Sequence, residues 1–385
     1  MSHCVIGLVT TGFDKGGLEQ VVFNLYEGYK AAGIPTYILC EKGSLMGYFA
    51  SQLHDVRDFC IFEDSFETFI AFCYKKGITH LHYHYNTHFI SQARECGIQT
   101  IYTIHNVYTW FQDDEIKEYK RTIDKCDNIV AVSSFVKNYF CTRTGLRESR
   151  VEVIPNGIKI EELMNSEQLP QKFTREQLGI QKDEIVFAQI ASFTAVKHQI
   201  GLIGVMEKVI KKKENTRLLL VGNVLEQDYY DEFCQCLKKS PAKDYITVVD
   251  WFDHRYMGEF LKETVDVAVL ATLQEGCSNS VLEAIVCEKP IILTNTGNAS
   301  DVRSESVIVV SPAYEDICNE MMANLVRISS KKECSNTSEL ANAFINVSNR
   351  LAYYTEKARE ESLKRQDFTT EKMVSRYLKL ISEMR

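Results

Sequence analysis

Glu275-Gly276-Cys277-Ser278-Asn279-Ser280-Val281-Leu282-Glu283 sets two carboxylates eight positions apart around a small polar turn. An apolar run of strand length, Val265-Asp266-Val267-Ala268-Val269-Leu270, lies just before it, and Glu283-Ala284-Ile285-Val286 reads as a helix. A turn that leaves the carboxyl end of a strand and opens a helix is where open α/β sheets bind ligands. The amides of such a helix start suit a phosphate, and both carboxylates can accept hydrogen bonds from a sugar or a ribose. A plainer reading competes. Ser280-Val281-Leu282-Glu283 is also a capping box, which needs no ligand, and Glu275 is then a solvated loop residue. The surroundings decide between the two.

Upstream, Cys4 to Val9 reads as a strand, followed by a loop containing Gly16-Gly17. From there Leu18, Val21, Val22, Leu25 and Tyr29 fall on one helical stripe that stops at Gly33. With Pro35 to Cys40 as the next strand, the unit is βαβ and its sheet is parallel. Further strand candidates are Ile78 to His82, Thr100 to Ile104, Asn128 to Val132 and Val151 to Ile154. Pro155-Asn156-Gly157 then breaks the pattern, and the polar stretch Lys159 to Lys182 suits a linker. A second series follows: Ile185 to Ala191, Arg217 to Val221, Tyr245 to Val249, Asp266 to Leu270, Pro290 to Leu293 and Val307 to Val309. Residues 330–347 read as loop-rich, and Thr370 to Met384 as a helix with Met373, Tyr377, Leu380 and Ile381 on one stripe. The fold class expected is α/β, with two doubly wound Rossmann-like domains facing across a cleft. The first domain is 1–165 plus 366–385, and the second is 166–365.

The 385 residues are enough for two such domains, and 45% hydrophobic content is enough for their cores. A net charge of -8 argues against nonspecific nucleic-acid binding. The 13 cysteines are odd in number and show no C-x-x-C spacing. They read as reduced core residues of a cytoplasmic protein, as at Cys40 and Cys73. No charged leader precedes the first apolar run and no stretch reaches membrane-spanning length, so neither signal peptide nor transmembrane helix is expected.

Other residues invite a site. Gly16-Gly17 allows close backbone approach to a ligand, or simply makes a tight strand-to-helix turn. His105 follows a strand at its carboxyl end, where an imidazole can bond a sugar hydroxyl. His80, His82, His84 and His88 form a cluster for which zinc is the less favoured reading, since no cysteine or carboxylate partner has a fixed spacing. Lys197-His198 also follows a strand end, where a lysine is a point charge for a diphosphate. Lys211-Lys212-Lys213 is a solvated helix end, with a membrane-facing basic patch as the weaker alternative.

In this order the pieces resemble the retaining glycosyltransferases of the GT-B fold, family four, also called glycosyl transferases group 1. The resemblance runs over nearly the whole chain. It is carried by Gly16-Gly17-Leu18-Glu19, Ile104-His105-Asn106, Val130-Ala131-Val132-Ser133, Ile154-Pro155-Asn156-Gly157-Ile158 and Val221-Gly222. The E-x7-E stretch Glu275 to Glu283 with Lys289-Pro290-Ile291-Ile292 and the final helix complete it. Two positions depart from the family pattern. Ser192 stands where the family usually has an arginine five residues before the aligned Lys197, and Thr194 holds the alternative arginine position. Glu288 replaces a small residue before the proline segment.

The resemblance implies a retaining glycosyltransferase that moves a sugar from a nucleotide-diphosphate donor to a hydroxyl acceptor, in cell-surface glycan or glycoconjugate synthesis. By that analogy Glu283 binds the ribose, and Glu275 contacts the transferred sugar. Backbone amides at Ser280, Val281 and Leu282, with Lys197, hold the diphosphate. His105 with Gly16 and Gly17 meets the donor from the first domain. No enzymic base is assigned. Without a D-x-D motif no obligatory metal is expected, and no cofactor beyond the nucleotide-sugar donor. The acceptor is a glycan, a lipid carrier or a protein, with no nucleic acid partner and with peripheral contact at the inner membrane face left open. Two alternatives stand beside this reading: a nucleotide-sugar epimerase of similar architecture, and a degenerate subunit that binds glycan or stabilises a partner.

Overall fold

The computed structural model describes residues 4–14, 16–250, 252–314 and 322–384. The chain divides into two compact units, Met1–Ile158 with Phe368–Arg385 and Lys159–Asp367. Each is a parallel sheet flanked by helices.

The first sheet has seven strands: β1 (Ile6–Thr10), β2 (Thr36–Cys40), β3 (Phe59–Ile61), β4 (His80–His84), β5 (Gln99–Ile104), β6 (Asn128–Ala131) and β7 (Val151–Val153). Their order is β3-β2-β1-β4-β5-β6-β7, all parallel. The second has six: β8 (Ile185–Ile190), β9 (Thr216–Val221), β10 (Ile246–Val249), β11 (Val267–Leu270), β12 (Ile291–Thr294) and β13 (Val307–Val310). Their order is β10-β9-β8-β11-β12-β13, again parallel throughout. Both orders reverse direction once, between β1 and β4 and between β8 and β11, as in doubly wound folds. Strands β1 and β11 are buried along their whole length, which is why they read as apolar runs rather than alternating ones.

Three stretches differ from the sequence-based expectation. β3 is only three residues long, too short to leave a period. Residues 330–347, expected as loop, carry the helix Thr337–Asn349. Its Leu340, Ala341, Phe344 and Val347 are buried on one stripe, diluted in sequence by serine and asparagine. The expected linker 159–182 carries the helix Ile160–Met164 and a 3-10 turn at Gln171–Phe173. Leu163, Leu169 and Phe173 are buried there, and the ammonium of Lys262 donates to the Met164 carbonyl at 2.8 Å. This stretch is packed, not spanning.

The final helix, Thr370–Glu383, is capped by Thr369, whose hydroxyl accepts from the Lys372 amide. It contributes Met373, Val374, Tyr377, Leu380 and Ile381 to the first unit's core, beside Leu25, Tyr26 and Tyr29 of the helix Gly17–Ala31. The two helices come so close that a Cβ on Gly28 would lie 2.5 Å from Val374 Cγ2. Backbone bonds Ile158 N–H to Phe368 O and Thr370 N–H to Ile158 O, at 2.9 and 3.0 Å, tie the strand-like segment at Ile158 to this helix start. Among the described residues no helix is long and apolar enough to cross a membrane.

Candidate active site

In the second unit the site forms where the strand order reverses. β8 ends at Ile190 and leads to a 3-10 turn, Ala195–Lys197, while β11 ends at Leu270 and leads to Glu275. Lys197 Nζ meets Glu275 Oε2 at 2.5 Å, joining the two loops across the switch point. Both side chains are mostly covered, 23% and 14% exposed, so the pair is screened less than a surface pair. Gln189, on β8, sets the spacing. Its side-chain amide donates to the Lys197 carbonyl and its oxygen accepts from the Ala271 amide, both at 2.9 Å. Gly297 makes room for Glu275. It has φ +56°, and a Cβ there would fall 2.8 Å from the glutamate's Cβ.

The helix that follows is Asn279–Val286, and its cap is Ser278. The Ser280 capping box expected from the sequence is therefore not the one used, because the helix begins before Ser280. The Val281 amide donates to Ser278 Oγ at 3.4 Å and the Leu282 amide to Ser278 O at 3.3 Å. Two of the three amides expected at a diphosphate thus have partners inside the cap. Ser280 Oγ lies 3.0 Å from Ser278 Oγ. The positive end of the helix dipole still opens at this turn.

Glu283 is 6% exposed, and its carboxylate takes a hydrogen bond from His254 Nε2 at 2.8 Å. It therefore does not reach back to cap the helix, as the plain reading would have it. The Glu283 charge raises the His254 pKa above its usual value, against a smaller opposing effect of burial. His254 and Gln189 are site residues that the sequence did not single out. They lie 29 positions before Glu283 and 8 before Lys197, at no spacing that a motif defines.

Where the family pattern has arginine, Ser192 Oγ donates to Asn223 Oδ1 at 2.7 Å, pinning the loop after β8 to the loop after β9. Gly222 permits this contact between loops, since a Cβ there would lie 2.2 Å from the Ala191 carbonyl oxygen. Glu288, the other departure, sits at φ +59°, where glycine is favoured. Its carboxylate accepts from Ser362 Oγ at 3.2 Å.

In the first unit Gly17 opens the helix Gly17–Ala31 and Gly16 is its cap position, without a side-chain cap. A Cβ on Gly17 would meet nothing within 4 Å, so the space in front of this helix start is open. His105 follows β5 and is 9% exposed. Its Nε2 lies 2.8 Å from Nδ1 of His84, and burial pushes its pKa down to about 3. It is a neutral imidazole. His82 bonds Thr103 Oγ1 at 2.7 Å, and Thr103 bonds Tyr377 at 3.0 Å. His80 turns to Thr79 and His88 to Asp64, at 2.8 and 2.9 Å, so the four histidines do not converge on one point. Glu41, Asp64 and His88 do bring ligand-type atoms within 4.8 Å of one another. Glu41 is already engaged there by the Asn86 amide, at 2.7 Å. Burial pushes the Cys40 and Cys73 thiols up to about 12, as core thiols rather than nucleophiles.

Two family models cover this architecture. Residues 15–162 match Glycosyltransferase Family 4, and residues 170–339 match Glycosyl transferases group 1. The chain belongs to this glycosyltransferase family. It is 24% identical over 248 residues to an uncharacterised glycosyltransferase of Methanocaldococcus jannaschii, covering 60% of this chain and 61% of that protein. It is 21% identical over 312 residues to the GPI3 subunit of phosphatidylinositol N-acetylglucosaminyltransferase of Saccharomyces cerevisiae, covering 80% of this chain and 64% of the subunit. The chain therefore spans about three-fifths of the length of these relatives. In fold it is similar to HepE of Anabaena, solved with UDP-glucose, at TM-score 0.74, 16% identity, and 99% and 100% of the two chains. It is also similar to a sucrose-phosphate synthase of Thermosynechococcus elongatus, at TM-score 0.77, 17% identity, and 99% and 98% of the two chains.

Proposed function

We propose that the protein is a retaining glycosyltransferase that uses a nucleotide-diphosphate sugar, in the first instance a uridine diphosphate sugar, to glycosylate a hydroxyl acceptor in glycan or glycoconjugate synthesis. The observation that carries this reading is the Lys197–Glu275 pair across the β8/β11 switch point, with Glu283 eight residues on and buried. UDP-glucose bound to a protein of the same fold supports the choice of donor.

Glu283 accepts the ribose hydroxyls, and His254 holds its carboxylate in place. Lys197 exchanges Glu275 for the diphosphate, freeing Glu275 for the hydroxyls of the transferred sugar. As the glycosidic bond to phosphate breaks, negative charge grows on the leaving diphosphate. A preplaced ammonium and a helix start stabilise that charge at no cost of reorganisation. Ser280 stands at that helix start, while Val281 and Leu282 serve to build its cap. In the first unit by itself, neutral His105 offers a hydrogen bond to a hydroxyl, and Gly16-Gly17 an unobstructed backbone approach. No metal takes part, so a chelator should leave turnover unchanged.

A non-catalytic reading has one observation in its favour: Ser192 supplies no second cation and is spent on Asn223. Incubating the protein with a panel of nucleotide sugars and following slow hydrolysis by mass spectrometry separates the two. Hydrolysis of one donor, with proton NMR showing the released sugar in the donor's anomeric configuration, is the result expected. Binding without any turnover selects the non-catalytic reading, and donor isomerisation selects an epimerase.

A further inference from the structure

The loop after β5 carries an aromatic group that the donor site does not use. Trp110 is 39% exposed, although it packs on Tyr108 with ring centroids 5.3 Å apart. Tyr85, from the loop after β4, is half-buried and lies 6.4 Å from Trp110 and 5.8 Å from His105. An exposed tryptophan beside a tyrosine and the candidate sugar-binding histidine is not core packing.

Two further observations mark the pair as built. Tyr85 and Tyr108 both hold left-handed backbone, with φ +58° and +52°, a cost that non-glycine residues bear where the surroundings enforce it. Arg143, its side chain 8% exposed, donates to the carbonyls of Tyr108 and Phe111 at 2.8 and 2.5 Å, clamping the loop on both sides of Trp110. The ring is thus presented to solvent on a rigid loop.

We propose that Tyr85 and Trp110 form the stacking platform for an uncharged carbohydrate acceptor. The assignment rests on the glycosyl-transfer reading and names the acceptor's chemistry. A pyranose has an apolar face of C–H groups that fits an aromatic face, and the amphipathic tyrosine tolerates its hydroxyls. Charge decides against an anionic lipid or a phosphorylated carrier. Trp110 is followed closely by the exposed Asp113, Asp114 and Glu115, while the nearby Arg143 guanidinium is covered, 8% exposed, and held by the loop carbonyls and by Asp113 at 4.0 Å. A membrane-seeking aromatic has basic neighbours instead.

The chain has two tryptophans, so in a Trp251→Phe variant Trp110 alone reports by fluorescence. Maltose, cellobiose, lactose and diacetylchitobiose are titrated at millimolar concentration, beside vesicles of phosphatidylcholine with phosphatidylglycerol. Saturable quenching or shift by at least one disaccharide, and none by vesicles, is the result expected. With that disaccharide as acceptor, Trp110→Ala and Tyr85→Ala should raise its KM about tenfold, the loss of one well-packed aromatic contact. UDP affinity and donor hydrolysis should be unchanged. No response to any disaccharide, or a blue shift with anionic vesicles alone, overturns the proposal. A parent protein that binds no UDP and hydrolyses no donor fails the functional reading instead, and the fluorescence titration tells that failure apart.

Discussion

Lys197 and Glu275 form the ion pair on which the proposed chemistry rests. The lysine carries the positive charge placed at the β8/β11 switch point, and Ser192 and Thr194 hold the arginine positions. Lys197→Ala should therefore lower turnover about a hundredfold or more, the scale of losing one transition-state donor. Circular dichroism should show the fold retained. Turnover within a factor of two of the parent would remove Lys197 from the site. His254 gives a second residue-level test. Its pKa is raised by Glu283, so the charged pair stabilises the fold fully below the ordinary histidine pKa and loses that contribution as pH rises through the raised value. The difference in Tm between the parent and His254→Asn should be largest near about pH 6 and shrink in alkali. A difference constant across pH would mean that the histidine only packs. The carboxylates and Lys197 were legible because they stand at strand ends within a motif. His254 and Gln189 were not, because their partners are defined by the fold alone.

Among elements, long apolar runs were legible and short or diluted ones were not. β8 and β11 announce themselves, but three-residue β3 carries no period, and the helix Thr337–Asn349 hides its stripe among polar residues. The helix start at Ser278 was misplaced because Ser278 and Ser280 are chemically equivalent caps, and only the backbone course chooses between them. Strand β4 with β5 holds a further consequence. His82, His84 and His105 are buried and all held neutral, with pKa values pushed down to about 3 for His82 and His105 and well below normal for His84. The unfolded chain binds protons at these residues below about pH 6.5 and the folded chain does not. Stability is then full above that pH and falls as acid is added, by up to roughly 1.4 kcal/mol per pH unit for each histidine. Acid should unfold the first unit before the second, read by amide hydrogen exchange between pH 6 and 4. Loss of protection in the second unit first would contradict the buried-histidine account.

On the scale of the whole chain, the ends meet in one unit. The final helix completes the first unit's core from more than two hundred residues away in sequence, and Gly28 allows it to lie against the helix Gly17–Ala31. Its amphipathic stripe was readable and the resemblance placed it with the first domain, but the helix it docks on was not readable, since periodicity tells which face is buried and not against what. Deleting residues 370–385 should expose Leu25, Tyr26 and Tyr29 and lower the Tm of the first unit by several degrees, while the second unit melts as before; one unchanged transition would show that the helix adds nothing to this core. The central claim, that the E-x7-E turn is a nucleotide site and not only a helix cap, is tested most directly by calorimetric titration of UDP into the parent and Glu283→Gln. The carboxylate's hydrogen bonds to ribose predict an affinity loss of about tenfold or more with the fold intact, whereas equal affinity in the two proteins would contradict the assignment.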